Sequence, residues 1–196
     1  MTTTHTPIVV GLVGGIGSGK SYVARLFEKL GCPTYDCDTQ AKRLMNTDVA
    51  LMRQLQDLFG TELYADGTLN RQRLAQIIFT QPQQRIAANA VIHPAVRRDF
   101  ACWVTQQRAR VVLVESAILI ESDLYTMVDK IVAIYAPQEV RISRAMARDG
   151  ITRAQVLERI QAQLPDETLR CHADFVINND GRTPLIPQIE CIMNAL

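Results

Sequence analysis

The stretch Gly14-Gly15-Ile16-Gly17-Ser18-Gly19-Lys20-Ser21 constrains this chain more than any other. So many glycines disfavour both helix and strand, yet the flanks are strongly patterned. Before it, Ile8-Val9-Val10-Gly11-Leu12-Val13 is a near-continuous apolar run, as expected of a central strand covered on both faces. After it, Val23, Leu26, Phe27 and Leu30 recur at helical spacing, and Gly31 is placed to end the helix. Strand, glycine loop and helix in that order fit the pattern G-x-x-x-x-G-K-[ST], which cradles phosphate. The glycines let successive amides converge on one anion, and the helix start adds its positive end. Lys20 reaches the outer phosphates, and Ser21 offers a hydroxyl to Mg²⁺.

The rest of the chain alternates in the manner of an α/β protein with a parallel sheet. Residues 33–36 read as a short second strand, whereas 39–107 read as helical, carrying the stripe Leu51, Leu55, Leu58 and Phe59. Asp66-Gly67 marks a turn, Asn70 is a helix N-cap, and Pro94 is expected to open a further helix. Residues 62–64 are the one place in this region where a strand is considered. Residues 111–114, 131–135 and 175–178 are β-branched strands. Thr152-Arg153-Ala154-Gln155 has capping-box spacing, Pro165 is expected to stop the helix it starts, and Thr183-Pro184 opens the last helix. These patterns divide the chain into a core of about 7–38, 109–136 and 174–196, a helical insertion of about 39–108 and an Arg-dotted segment of about 137–173.

A chain of 196 residues with 47% hydrophobic and 21% charged residues can bury a core without disulfides or metals. Its net charge of +1 gives no basic field for nucleic acid. The N-terminal segment 1–7 is expected to be frayed, and no run is long enough to anchor the chain in a membrane. The scattered cysteines Cys32, Cys37, Cys102, Cys171 and Cys191 show no C-x-x-C spacing and read as reduced thiols of a cytoplasmic protein. His5, His93 and His172 form no ligand cluster with them, so zinc is not expected.

Three features bear on chemistry beyond the loop. Asp36 and Asp38 close the second strand, where residues two apart face the same way and ligands bind in such sheets. Carboxylates there can deprotonate an attacking hydroxyl or help hold Mg²⁺, or they can be a solvated pair in a turn. Glu115 closes the third strand, where an acid can sit near a metal, cap a helix or face solvent. Arg141, Arg144 and Arg148, spaced by three and four, share a helix face. They can neutralise transferring phosphate or form a solvated basic face.

On these residues the chain resembles the dephospho-coenzyme A kinase family over nearly its whole length. The glycine loop resembles that family's version, and Tyr35-Asp36-Cys37-Asp38 its aspartate pair. Asp66-Gly67-Thr68-Leu69-Asn70-Arg71 and Ile92-His93-Pro94 resemble its D-G-x-L-x-R and H-P elements. The run from Asp174 to Gly181 resembles its closing A-D-x-V-I-x-N-x-G segment. Two departures stand out: Ala117-Ile118-Leu119-Ile120-Glu121 replaces a proline followed by a Leu-Leu-Phe-Glu-like run, and Tyr22 replaces a more usual Thr.

The resemblance implies a P-loop kinase fold, with a five-stranded parallel sheet, a helical acceptor-binding insertion and a lid. It implies transfer of the ATP γ-phosphate to the ribose 3′-hydroxyl of dephospho-coenzyme A. The implied catalytic residues are Asp38, Lys20, Arg144 and Arg148. Gly15, Gly17, Ser18, Gly19, Lys20, Ser21, Tyr22, Asn178 and Gly181 are implied to hold ATP, with Ser21 and Asp36 holding Mg²⁺. Asp36, Arg71, His93 and Glu121 are implied to hold the acceptor. The expected partner is this small molecule, for a monomer or weak homo-oligomer. Another small-molecule or nucleoside monophosphate kinase on the same fold and a non-catalytic nucleotide-binding module are the alternatives. A GTPase is disfavoured, because the chain has no N-K-x-D element.

Overall fold

The structure is a computed structural model that describes residues 6–196. Residues 1–5, with His5 and most of the segment expected to be frayed, lie outside the described residues. Contacts divide the chain into two compact units, Cys37–Thr105 on one side and Met1–Asp36 with Gln106–Leu196 on the other.

The discontinuous unit carries the sheet. β1 (Ile8–Val13) leads through the glycine loop to α1 (Lys20–Lys29) and β2 (Thr34–Asp36). After the helical unit come β3 (Val111–Glu115) and β4 (Lys130–Tyr135), and then β5 (Phe175–Asn178). All five strands are parallel in the order β2-β3-β1-β4-β5, so the strand that feeds the glycine loop is central. The all-apolar runs expected of β1 and β3 are buried almost throughout, which is what helices on both faces require. Val10, Leu12, Leu113, Val132, Ile134 and Ile177 pack with Val23 and Phe27 of α1 and Ile189 of the C-terminal helix Leu185–Ala195.

Side chains also lace the strands together at their starts and edges. The Val9 amide donates to Asp129 (2.8 Å), and the Ile131 amide donates to Asp174 (2.8 Å), which also receives the Lys130 ammonium (2.9 Å). The Lys130 hydrogen bond, followed by that amide, holds the Asp174 carboxyl below the usual carboxylate range. On the free edge of β5, the Gln188 amide takes the place of a missing strand. Its Oε1 accepts the Asn178 amide (2.8 Å) and its Nε2 donates to the Asn178 carbonyl (3.1 Å).

The helical unit contains α2 (Cys37–Thr47), α3 (Val49–Phe59), α4 (Arg71–Thr80) and α5 (Pro82–Thr105). Asp48 caps α3, and Asn70 caps α4 by accepting the Arg73 amide, as its position in the sequence predicts. Leu51, Leu55, Leu63 and Phe100 are fully buried, and Trp103 stacks on Phe100. Tyr64 is buried with its hydroxyl donating to the Met45 carbonyl (2.7 Å), and burial pushes its pKa up to about 12.

Three expectations fail here. Residues 62–64 form not a strand but a 3₁₀ turn, Thr61–Tyr64: the adjacent Leu63 and Tyr64 are both buried, which strand alternation does not allow. Pro94 does not open a helix but lies within α5. It removes one helical hydrogen bond, and the buried residues on both sides of it (Ala88, Ala95, Val96, Phe100) pack as one continuous face. The third concerns the segment after β4, which folds as α6 (Gln138–Asp149), α7 (Arg153–Gln161) and α8 (Asp166–Cys171). The Thr152 capping box starts α7 as expected, but Pro165 is the N-cap of α8 rather than the stop of α7. The C-terminal helix Leu185–Ala195 is α9.

Because the folded pKa of Asp174 is depressed, its stabilising effect is present above the unfolded value of about 4 and fades as pH falls through the folded one. Urea unfolding should therefore show a stability gap between the parent chain and Asp174→Asn that is wide at neutral pH and narrows on acidification. A gap independent of pH would show that the ion pair contributes nothing.

Candidate active site

The site is assembled at the carboxyl ends of the parallel strands, where the chain leaves each strand and its backbone groups are unpaired. Gly17 and Gly19 both have positive φ, 75° and 94°. A Cβ on Gly17 would collide with the Arg141 backbone carbonyl, and one on Gly19 with the Asn179 side-chain amide. Glycine is therefore required at both positions for conformation and for close approach. Lys20 begins α1, and its ammonium donates to the Gly14 carbonyl (2.7 Å), so it is folded along the loop. The Ser18 hydroxyl is buried against Gly14 and has no hydrogen-bond partner among the described residues. Tyr22 is half exposed, and its amide donates to the Gly19 carbonyl (3.0 Å), closing the first helical turn.

Behind the loop stands an acidic pair. The Ser21 hydroxyl donates to Glu115 at 2.6 Å. Glu115 ends β3 and is the register partner of Asp36 at the end of β2, so the two carboxylates occupy neighbouring strand ends. Asp38 does not continue that strand. Asp36 takes the last register partner that β3 offers, so the unpaired chain turns at once into α2, with Asp38 exposed in its first turn. The expected strand alternation between Asp36 and Asp38 therefore does not hold.

The arginine face of α6 grades from buried to exposed. Arg141, only 3% exposed, donates Nε to the Ile16 carbonyl (2.9 Å) and grips both oxygens of Asp166. Arg144 donates to the Asn179 carbonyl (2.9 Å). Arg148 lies outside this cluster, paired with Asp149 (2.7 Å), which Arg159 also reaches (3.1 Å). The Arg148 hydrogen bond is the main reason the Asp149 carboxyl lies below its usual range.

The loop's other neighbour is Asn179. Its side-chain amide donates to the Ser18 carbonyl (2.7 Å) and its own amide to the Tyr135 carbonyl (2.7 Å). The Asn178 side chain instead points to the turn with Asp180 (3.3 Å) and Thr183. Gly181 lies near Arg144, and Glu121 is exposed in the turn after β3. Arg71, exposed at the start of α4, and His93, half-buried in α5, belong to the helical unit. Among the described residues no group of three or more His, Cys, Asp or Glu side chains forms a metal cage, and no helix is long and apolar enough to cross a membrane.

The dephospho-CoA kinase family profile matches residues 8–184. The chain belongs to the dephospho-CoA kinase family. A dephospho-CoA kinase of Bacteroides fragilis (strain YCH46) is 43% identical over 183 residues, which span 93% of this chain and 89% of that protein. A solved structure from Thermus thermophilus is 34% identical with a TM-score of 0.85, covering 97% of this chain and 98% of that one. A Campylobacter jejuni dephospho-CoA kinase, 21% identical with a TM-score of 0.67, shares the fold over 95% of this chain and 94% of its own.

Sequence reasoning overlooked Asn179 in favour of Asn178. The A-D-x-V-I-x-N-x-G pattern, counted from Ala173, itself places its Asn at 179. Gln163 and Asp166 gave no signal, being single polar residues around short helices. Asn179→Ala strips the side-chain partner from the Ser18 carbonyl while leaving the backbone carbonyl that Arg144 binds, and should raise the KM for ATP about tenfold. Asn178→Ala should change it less than about threefold. Steady-state kinetics on both variants checks the ranking.

Proposed function

We propose that this chain transfers the γ-phosphate of ATP to the ribose 3′-hydroxyl of dephospho-coenzyme A, giving coenzyme A and ADP. The dephospho-CoA kinase match over residues 8–184 carries the reading, with the phosphate loop in place at the head of the central strand as its physical support.

The loop amides around Gly15, Gly17, Ser18 and Gly19 receive the phosphates, and Lys20 exchanges the Gly14 carbonyl for the outer phosphate oxygens. The Ser21 hydroxyl with the Glu115 and Asp36 carboxylates is an all-oxygen set. That suits Mg²⁺, which takes one or two carboxylates and fills its shell with water and substrate phosphate. Held by these residues, Mg²⁺ would supply positive charge to offset that of the phosphates. The 3′-oxygen forms its bond to the γ-phosphorus as the bond to the ADP oxygen breaks, and the hydroxyl proton passes to Asp38. Arg144 places positive charge beside the transferring group, and Arg148 does so by exchanging Asp149 for phosphate. Tyr22, Asn178 and Gly181 are assigned to the nucleotide, and Arg71, His93 and Glu121 to the acceptor. The residues 39–108 then act as the acceptor-binding insertion and 137–173 as the lid. The enzyme works in the cytoplasm as a monomer or weak homo-oligomer.

Mass spectrometry of dephospho-coenzyme A incubated with the protein, ATP and Mg²⁺ should show the gain of one phosphate. No gain there, with phosphorylation of a nucleoside monophosphate or sugar acid instead, would transfer the reading to another kinase. Asp38→Asn should keep ADP binding and lose at least about a hundredfold in kcat. Turnover near the parent rate would remove Asp38 as the base. Lys20→Ala should abolish turnover, and retained activity would contradict the phosphate-loop assignment.

A further inference from the structure

Arg141 is a buried cation whose guanidinium is tied at two of its three nitrogens. Nε donates to the Ile16 carbonyl at 2.9 Å, and one terminal nitrogen reaches both oxygens of Asp166 at 2.6 and 2.5 Å. The other lies so close over Gly15 that any Cβ there would overlap it. The same loop residue is held twice more. The Ile16 amide donates to Gln163 (2.8 Å), and the Ile16 side chain packs on Ile142, Ala145 and Val156 of α6 and α7.

Peptide planarity turns these ties into an aim. In a trans peptide the carbonyl and the following N–H point opposite ways. With the Ile16 carbonyl drawn toward Arg141, the Gly17 amide must point away from α6. With the Ile16 amide drawn toward Gln163, the Gly15 carbonyl must point the other way, and there it accepts the Ser18 amide (3.1 Å). The Arg141 charge, meanwhile, is matched by Asp166, so the pair adds little net field at the loop.

We propose that Arg141 is a positioning residue for nucleotide binding: its fork fixes the Ile16 peptide so that the loop amides converge on phosphate, and it acts through geometry rather than charge. This rests on reading 14–21 as the ATP phosphate loop. A lysine at 141 keeps the charge but cannot supply the planar fork that holds Ile16 and Asp166 together.

Calorimetric titration with ADP tests it on the parent chain, Arg141→Lys and Asp166→Asn. Arg141→Lys should weaken ADP binding about tenfold or more. Asp166→Asn should weaken it too, by less, since the bond to Ile16 survives. If the charge were what mattered, Arg141→Lys would bind ADP within twofold of the parent, and Asp166→Asn would bind it more tightly through the exposed cation. That pattern overturns the proposal. So does a lowered thermal midpoint in Arg141→Lys with ADP affinity unchanged, which is the mark of a merely structural residue. Should Arg141→Lys fail to fold, the sign for Asp166→Asn decides: weaker binding supports the proposal, and equal or tighter binding overturns it. The titration needs no acceptor, so its result is separate from whether dephospho-coenzyme A is turned over.

Discussion

A loop made largely of glycine has few side chains with which to hold itself, so its shape must be imposed by the chain around it. That constraint organises the nucleotide side of this protein. The Ser18 carbonyl is held by Asn179 from the end of β5, and the Ile16 carbonyl and amide by Arg141 and Gln163 from the segment after β4. The Ser21 hydroxyl is held by Glu115 from the end of β3. The supports come from the ends of β3 and β5 and from the β4–β5 crossover, around a loop fed by the central strand β1, which has β3 on one side and β4 on the other.

The same arrangement joins stability to function. The register of β1 against β3 and β4 fixes where those strands end, and hence where Glu115 and the start of α6 stand relative to the loop. At the opposite ends of the strands the Asp129 hydrogen bond ties β1 to β4, and the Asp174 hydrogen bond ties β4 to β5. A slip of one residue between β1 and β3 would carry Glu115 away from Ser21. Loop and sheet are therefore one mechanical unit. By contrast, the segment 137–173 is both a support for the loop, through Arg141 and Gln163, and the carrier of exposed pairs such as Arg148–Asp149 that can exchange partners.

Local pattern made much of this legible in the sequence. The strand–loop–helix order, the five strands and the caps at Asn70 and Thr152 are all set by residues within a few positions of one another. What stayed hidden depends on distant partners. Asp38 leaves the strand because β3 runs out of register partners, which nothing near Asp38 reveals. Pro94 continues a helix because apolar residues on both sides of it are packed, which outweighs one lost hydrogen bond. Arg141 reads as one of three arginines on a face. Only the fold distinguishes it, by burying it next to Ile142 while Arg148 stays exposed. Asn178 and Asn179 differ by one position in the sequence, yet one faces a surface turn and the other the phosphate loop.

Protein contacts alone hold the phosphate loop in this shape. Amide hydrogen exchange of the nucleotide-free protein, read at Ile16 and Ser18, tests it most directly, since these amides donate to Gln163 and to the Gly15 carbonyl. Both amides should be protected before nucleotide is added, with little further gain on adding ADP. Exchange at the rate of an open loop, slowed only once ADP binds, would contradict it.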